Sequence, residues 1–251
     1  MTYAIIGGSG LERFAGLEDA RSVSVSTRFG APSAPLVHGR LDGIPMVFLS
    51  RHGESHSHAP HEINYRANIR ALKDAGVEGI VSVATVGGIR PEYGPGALVL
   101  PDQLIDYTTG RPGTFFEGAD APVVHVDFTH PYDARLRTLL LQAARDAAES
   151  IHPDGTYGCT QGPRLETAAE IRRMARDGCD LVGMTGMPEA VLARELDLPY
   201  ATLTVVANHA AGMGASAQAI SLTQIFEVVE ASMVRVRRIL SAFLKRTSVQ
   251  G

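Results

Sequence analysis

Short apolar runs of strand length, without alternating polar residues, constrain the fold of this chain more than any other feature. They are rich in Val, Ile and Leu, which is typical of strands that are buried on both faces of a parallel sheet. The strands predicted from these runs are Tyr3–Ile6, Pro45–Ser50, Gly79–Ala84, Ala97–Leu100, Leu181–Met184 and Tyr200–Val206.

Segments with helical periodicity separate these runs. Ile63–Ala75 is one of them, and Gly76 follows it as a typical helix-terminating residue. The other predicted helices are Asp133–Glu149, Ala168–Arg176, Glu189–Glu195 and about Leu222–Lys245. The alternation predicts an α/β fold in which a central mixed, largely parallel sheet is flanked by helices. One domain over residues 1–251 is expected, with a long loop at the Gly- and Pro-rich segment Tyr107–Pro122.

Composition excludes several classes of protein. Lys and Arg number 23 against 27 Asp and Glu, so no global positive field is available to hold nucleic acid. The two cysteines form no CxxC pair, which excludes a disulfide framework and a four-cysteine zinc site and favours a reducing cytoplasm. No apolar run is long enough to span a membrane, and no signal peptide is expected at the start of the chain.

A glycine-rich turn, Gly7-Gly8-Ser9-Gly10, follows the first predicted strand. Glycines allow backbone N–H groups to approach an anion, and Ser9 adds a hydroxyl donor. The third glycine of a dinucleotide-binding fingerprint is missing, and no Lys-Ser/Thr pair completes a P-loop. Both an anion-binding turn and an ordinary strand–turn connection remain open on this motif alone.

Donor residues recur at the ends of other predicted strands. Arg51 and His52 follow the second strand, Thr85 follows the third, and Thr185 follows Met184. Ligands of parallel sheets collect at the carboxyl ends of the strands, and an arginine offers a fork of donors suited to phosphate. We therefore expect these side chains to converge with Ser9 on one oxyanion, most simply phosphate.

Four histidines, His52, His56, His58 and His61, cluster in sequence. They lack an HExxH frame, cysteine partners and a carboxylate at ligand spacing. We therefore interpret this segment as a polar loop that covers the site, and we expect no metal.

Several segments, taken in order, resemble the trimeric family of purine nucleoside and methylthioadenosine phosphorylases. The resemblance spans residues 3 to about 245. Its matching pieces are Ile5–Leu11, Ser50–Gly53, Asn64–Ile69, Gly162–Thr167, Met184–Thr185, Pro188–Ala193 and Asn208.

The resemblance implies a phosphorolytic glycosyl transfer, in which phosphate attacks the anomeric carbon of a purine nucleoside and the purine leaves. The implied phosphate-binding residues are Ser9, Arg51, His52, Ala84, Thr85 and Thr185. The implied ribose- and base-binding residues are Leu165, Glu166, Met184, Asn208, His209 and Ala210, with Asn208 as the catalytic side chain. It also implies that phosphate is the co-substrate, that no metal or organic cofactor is needed, and that a homotrimer completes each site through His125.

The residues at the base position depart from the methylthioadenosine branch, which carries two aspartates where this chain has Asn208 and Ala210. An amide can donate to a 6-oxo group and accept from a protonated N7, and Glu166 can accept from the N1–H of a 6-oxopurine. Adenine would instead present a lone pair to that carboxylate. The alternative for Glu166 is an acid favoured at a helix N-terminus by the helix dipole. The combination favours hypoxanthine or guanine over adenine.

The sugar end is predicted from the start of the last helix. Leu222 and Ile225 are aliphatic there, and no histidine lies between Ala210 and residue 251 to meet a 5′-hydroxyl. An apolar pocket suits a polarisable thioether. We therefore expect phosphorolysis of a 6-oxopurine nucleoside with a methylthio sugar. The alternatives are a 6-oxopurine nucleoside phosphorylase for inosine or guanosine, a methylthioadenosine phosphorylase, and a non-catalytic nucleoside-binding protein.

Overall fold

Ten strands form one mixed sheet within residues 1–14, 16–118 and 121–249, the part of the chain that the computed structural model describes. The strands are β1 Tyr3–Gly7, β2 Glu18–Val23, β3 Leu36–Leu41, β4 Ile44–Ser50, β5 Ile80–Gly88, β6 Leu98–Val99, β7 Gln103–Asp106, β8 Thr156–Cys159, β9 Leu181–Gly183 and β10 Tyr200–His209. The order along the sheet is β2-β3-β4-β1-β5-β9-β8-β7, and β10 pairs with β5 and β6.

Strand β5 lies at the centre of this arrangement. Strand β10 pairs with it in parallel along one edge. On the other edge β1 pairs with residues 80–82 and β9 with residues 87–88. The intervening stretch Val83–Val86 therefore borders a gap between β1 and β9 on that edge. Because β4, β1 and β5 are parallel, the loops after them meet at the same end of the sheet.

Five α-helices cover the sheet in the described part of the chain: α1 Tyr65–Asp74, α2 Ala134–Asp146, α3 Ala168–Arg176, α4 Gly186–Glu195 and α5 Leu222–Val249. Asn64, Asp133 and Thr167 cap the first three, each accepting a backbone N–H with its side-chain oxygen. Helix α5 packs on α2 and β10 through the largest apolar cluster, which includes Val236, Leu240 and other fully buried residues. No helix among the described residues is both long and apolar enough to cross a membrane.

The predicted fold class is confirmed, and each predicted strand and helix overlaps an observed one. Two strands continue several residues beyond their predicted ends: β5 continues to Gly88 and β10 to His209. Four strands were not predicted from the apolar runs: β2, β3, β7 and β8. The predicted loop Tyr107–Pro122 has no helix or strand in its described residues, whereas Ala119 and Asp120 lie outside them.

Candidate active site

The gap beside Val83–Val86 brings together three of the expected phosphate-binding segments. The Thr85 hydroxyl donates to the carbonyl oxygen of Ser9 at 3.1 Å, which ties β5 to the glycine-rich turn. Beneath that turn lies Arg51, since a Cβ added at Gly8 would stand 2.7 Å from Arg51 Nη1. The glycine is thus required by close approach of the guanidinium. Ala84 lies in the same stretch of β5 and is 3% exposed.

The forked edge of Arg51 does not face an open anion site but binds Glu189. Its Nε donates to Glu189 Oε2 at 2.7 Å and its Nη2 to Glu189 Oε1 at 3.0 Å, and both side chains are at most 1% exposed. A third donor, Nη1, bonds Val83 O at 3.0 Å. Burial lowers the pKa of Arg51, but the charge and hydrogen bonds of Glu189 outweigh it and raise the pKa overall. Arg51 therefore stays protonated, and Glu189 balances its charge. One Nη1 hydrogen is left for a ligand.

Glu189 is the buried partner of Arg51, a contact that the sequence analysis did not predict; there Glu189 belonged to a predicted helix and to one of the segments that match the family. Its carboxylate also accepts from Ser82 Oγ and from Tyr200 Oη, each at 2.8 Å. Burial raises the pKa of Tyr200 well above its usual range, so that hydroxyl remains a donor. A buried carboxylate needs a buried cation as its partner. The sequence signal that could have indicated this pair was Arg51, a cation directly after a buried strand.

His52 is neutral in this setting. Its Nδ1–H donates to the carbonyl oxygen of His58 at 2.9 Å, and its ring stacks on His56 with centroids 4.4 Å apart. Burial and the nearby Arg51 charge lower the pKa of His52 to about 4. His56 in turn contacts Glu12 at 3.2 Å, and Glu12 accepts from the backbone N–H of Gly10. The histidine loop therefore lies against the glycine-rich turn.

The lowered pKa of His52 predicts a pH-dependent stability. An unfolded histidine gains a proton below about pH 6.5, whereas folded His52 stays neutral until about pH 4, so stability falls as pH drops through that window. The loss reaches about 3 kcal/mol. Thermal unfolding measured between pH 7 and pH 4 checks this. We expect His52→Gln to flatten the profile and the exposed His61→Gln to leave it unchanged; equal slopes in His52→Gln and wild type would contradict the assignment.

Thr185 lies at the start of α4, next to the same gap. It occupies the N-cap position of α4 without making a side-chain capping bond. Its backbone N–H approaches Tyr157 Oη at 3.4 Å, and the residue is 8% exposed. Since β9 runs antiparallel to β5 with Val182 opposite Gly87, its continuation to Thr185 runs back along the gap toward Ala84. The Thr185 side chain therefore borders the gap, close to the Tyr157 hydroxyl.

Glu166 is not a helix-capping acid. Helix α3 begins at Ala168, and Glu170 forms the capping box with Thr167. The Glu166 carboxylate instead accepts from the Thr160 hydroxyl through Oε1 at 2.6 Å. This contact gives Glu166 a partner other than the start of α3 and leaves its other carboxylate oxygen available to a ligand.

The neighbouring residues of the expected base pocket lie close to Glu166. A Cβ added at Gly162 would stand 2.4 Å from the Met184 sulfur, so the 160–166 segment and the end of β9 are in contact. Leu165, next to Glu166, is 42% exposed. Arg111 joins the two segments, because it donates to the backbone carbonyl oxygens of Gln161 and Met184.

The end of β10 carries Asn208, next to Gly87 of β5. Its Nδ2 donates to His209 O at 2.6 Å, which leaves Oδ1 and one amide hydrogen available. Ala210 is 2% exposed, and its methyl group packs 3.5 Å from the position of a Cβ at Gly87. Ala210 therefore presents a small apolar side chain, with no polar group, beside Gly87.

His209 differs from the expected ligand role. Its ring packs against Gly94 and Gly214, where added Cβ atoms would stand 3.5 Å and 2.7 Å from ring carbons. Successive strand residues point to opposite faces, so the ring lies on the side away from Asn208. His209 fills space between two loops instead of facing the expected purine position.

The expected sugar-binding residues lie on α5. Val229 of this helix packs against Gly10, and Leu222 lies two turns before it on the same face. Leu222 is 61% exposed, whereas Ile225 packs on the main apolar cluster. His125 is exposed, and within the described residues no hydrogen bond joins it to the other expected site residues. No group of three or more His, Cys, Asp or Glu side chains in the described ranges could hold a metal ion.

Known proteins that are similar to this chain in sequence and in fold include phosphorylases. A protein of Xanthomonas campestris named "Probable S-methyl-5'-thioinosine phosphorylase" is 52% identical over 92% of this chain and 92% of its own. The 6-oxopurine nucleoside phosphorylase of Pyrococcus furiosus is 47% identical over 90% of this chain and 86% of its own. The methylthioadenosine phosphorylase of Schistosoma mansoni in complex with adenine superposes with a TM-score of 0.92 at 31% identity, covering 99% of this chain and 92% of that one. The sequence profile of the Phosphorylase superfamily matches residues 2–245, and the chain belongs to this superfamily.

Proposed function

We propose that this phosphate-dependent pentosyltransferase converts S-methyl-5'-thioinosine and phosphate to hypoxanthine and 5-methylthioribose 1-phosphate. One observation carries the base half of this proposal. Glu166 lies outside helix α3 and is held by Thr160, with one carboxylate oxygen left over. That oxygen suits the N1–H of a 6-oxopurine, and Asn208 lies at the end of β10 with an acceptor and a donor free.

The phosphate end supplies positioning with little net charge. The turn at Ser9, the side chains of Thr85 and Thr185 and the spare Nη1 hydrogen of Arg51 border the gap, while Glu189 neutralises the guanidinium. A phosphate oxygen attacks the anomeric carbon as the bond from that carbon to purine N9 breaks, and the bonding electron pair moves onto the purine. The purine takes up one proton from solvent at N7, and Asn208 accepts a hydrogen bond from that N7–H and donates to O6, which stabilises the leaving base.

The sugar half depends on Leu222, and replacing it tests that half. We expect Leu222→His to lower kcat/KM for methylthioinosine about 10-fold relative to inosine, because a thioether loses its apolar contact and a hydroxyl gains a partner. Val234→His, on an exposed part of the same helix, is the control. Equal changes for both substrates would mean that Leu222 does not line the 5′ pocket.

A second candidate is phosphorolysis of ordinary 6-oxopurine nucleosides. The exposure of Leu222, 61% in the single chain, favours it, because an open 5′ end would tolerate a hydroxyl. The relative from Pyrococcus furiosus carries that name. The base contacts are the same in both candidates, so only the sugar distinguishes them.

Catalytic efficiencies for methylthioinosine, inosine and methylthioadenosine, with and without phosphate, test the proposal. Phosphate-dependent cleavage with methylthioinosine well ahead is expected. Inosine ahead would select the second candidate, and methylthioadenosine ahead would overturn the assignment of Glu166 and Asn208. No cleavage of any of them would leave a nucleoside-binding protein.

We further propose that the active form is a homotrimer in which His125 of a neighbouring subunit approaches the sugar. The large exposed apolar side chains of Leu165 and Phe226 support a subunit interface that covers them, since Phe226 is 71% exposed. Sedimentation analysis checks the stoichiometry.

We also propose that phosphate is the only co-substrate and that no cofactor is needed. The free thiols of Cys159 and Cys179 fit a reducing cytoplasm.

A further inference from the structure

We propose that Thr160 is a specificity-determining residue, which selects 6-oxopurines by holding the Glu166 carboxylate in place; this inference rests on the proposed function. The Thr160 hydroxyl lies 2.6 Å from Glu166 Oε1 and 3.2 Å from the carbonyl oxygen of Gly183. Its single hydrogen goes to the nearer, charged acceptor. Hydrogen bonds to a charged group are stronger than neutral ones, so this contact is a strong constraint on the carboxylate.

Further hydrogen bonds hold the backbone of Thr160 in place. The N–H of Thr160 donates to Gly183 O at 2.8 Å. The guanidinium of Arg111 donates through Nη2 to Thr160 O at 3.3 Å and to Gln161 O at 2.7 Å, and through Nη1 to Met184 O at 2.9 Å. One side chain therefore joins the 160–161 backbone to the end of β9. The position of the hydroxyl is fixed by both strands and by the loop that carries Arg111.

The other groups near Glu166 do not compete for it. Arg164 is the adjacent cation, but both of its terminal nitrogens donate to Glu170 at 2.9 Å. Among the described residues, Thr160 is the hydrogen-bond partner that Glu166 has. A carboxylate with one oxygen held and one free has a single orientation in which it meets a ligand.

This orientation matters for the choice of base. A 6-oxopurine donates its N1–H to the free oxygen, whereas the N1 of adenine presents a lone pair to it. A mobile carboxylate would turn away from adenine and lose little. A carboxylate held by Thr160 cannot turn away, so the repulsion remains and adenine nucleosides are rejected.

Isosteric replacement of Thr160 tests this. We expect Thr160→Val to lower the ratio of kcat/KM for methylthioinosine over methylthioadenosine about 10-fold or more, mainly because methylthioadenosine improves relative to the 6-oxo substrate. Thr160→Ser retains the hydroxyl and is expected to keep the ratio within about 3-fold of wild type. The KM for phosphate is expected to be unchanged in both, since Thr160 contacts none of the phosphate-binding residues.

Two results would overturn the proposal. One is a folded Thr160→Val enzyme with the wild-type ratio; the other is an equal loss in Thr160→Val and Thr160→Ser, since that would not depend on the hydroxyl. If the valine variant does not fold, Thr160→Ala makes the same comparison with serine. The ratio of inosine to adenosine, measured in parallel, separates this test from the sugar assignment. A wild-type preference for methylthioadenosine would instead contradict the proposed function itself.

Discussion

Replacing Asn208 with alanine is expected to lower kcat for phosphorolysis about 100-fold, which is the loss typical when one preorganised group that stabilises developing charge is removed. The amide of Asn208 is already oriented, because Nδ2 donates to the backbone carbonyl of His209 at 2.6 Å. Its Oδ1 and second amide hydrogen therefore need no rearrangement to meet a purine. Charge develops on the purine only as the glycosidic bond breaks, so kcat is expected to change more than the KM for phosphate. Steady-state kinetics at saturating phosphate measure both.

A matched asparagine separates this effect from loss of stability. Asn64 caps helix α1 and accepts from the backbone N–H of Ala67. Asn64→Ala removes that cap and is expected to cost about 1 kcal/mol of folding stability without a comparable loss of kcat. If Asn208→Ala retained full activity while folded, the leaving purine would be stabilised by another group, and Asn208 would have no part in the chemistry.

The centre of the fold was predictable from sequence because its strands are buried on both faces. β1 and β4 read as continuous apolar runs, and both are almost entirely buried. Strand β2, Glu18–Val23, was not predictable in this way, since all six of its residues are exposed at the edge of the sheet. Its pairing with β3 is decided by tertiary contact, and apolar periodicity carries no signal for it.

The ends of two central strands were also harder to predict than their middles. Gly87 and Gly88 are typical of a turn, yet they belong to β5 because β9 and β10 pair with them. Asn208 likewise lies within β10 and not after it. Residues that serve a ligand have small or polar side chains, so they resemble loop residues even where the backbone is paired.

The candidate site was predictable as a set of strand ends but not as a network. Spacing placed Ser9, Arg51 and Thr85 at one end of the sheet, and the structure adds their contacts. The partners that give these residues their orientation are distant in sequence: Glu189 lies 138 residues from Arg51. A single sequence shows that an arginine follows a strand, whereas its counterion depends on how α4 packs.

Replacing Glu166 with glutamine is expected to have the largest effect on substrate choice. A site that rejects a base by a specific hydrogen bond discriminates by about 10⁴, and we expect Glu166→Gln to reduce the preference for 6-oxopurines over 6-aminopurines about 1000-fold. Glutamine can present its carbonyl to the N1–H of hypoxanthine or its amide hydrogen to the N1 of adenine, so neither base is refused. The ratio of kcat/KM for methylthioinosine to that for methylthioadenosine measures the change.

The same substitution four residues later provides the control for this prediction. Glu170 completes the capping box of α3 and pairs with Arg164 on the surface. Glu170→Gln weakens the helix start, but the remaining carbonyl oxygen still accepts from Arg164 and keeps that cation away from Glu166. The pKa of Glu170 is lowered to about 2 by the Arg164 hydrogen bond and the Thr167 backbone, so its removal is felt as a loss of stability. We expect a lower melting temperature and an unchanged substrate ratio in Glu170→Gln. If the two variants behaved alike, the preference would arise from the fold of the 160–170 segment, and the carboxylate of Glu166 would not be the group that selects the base.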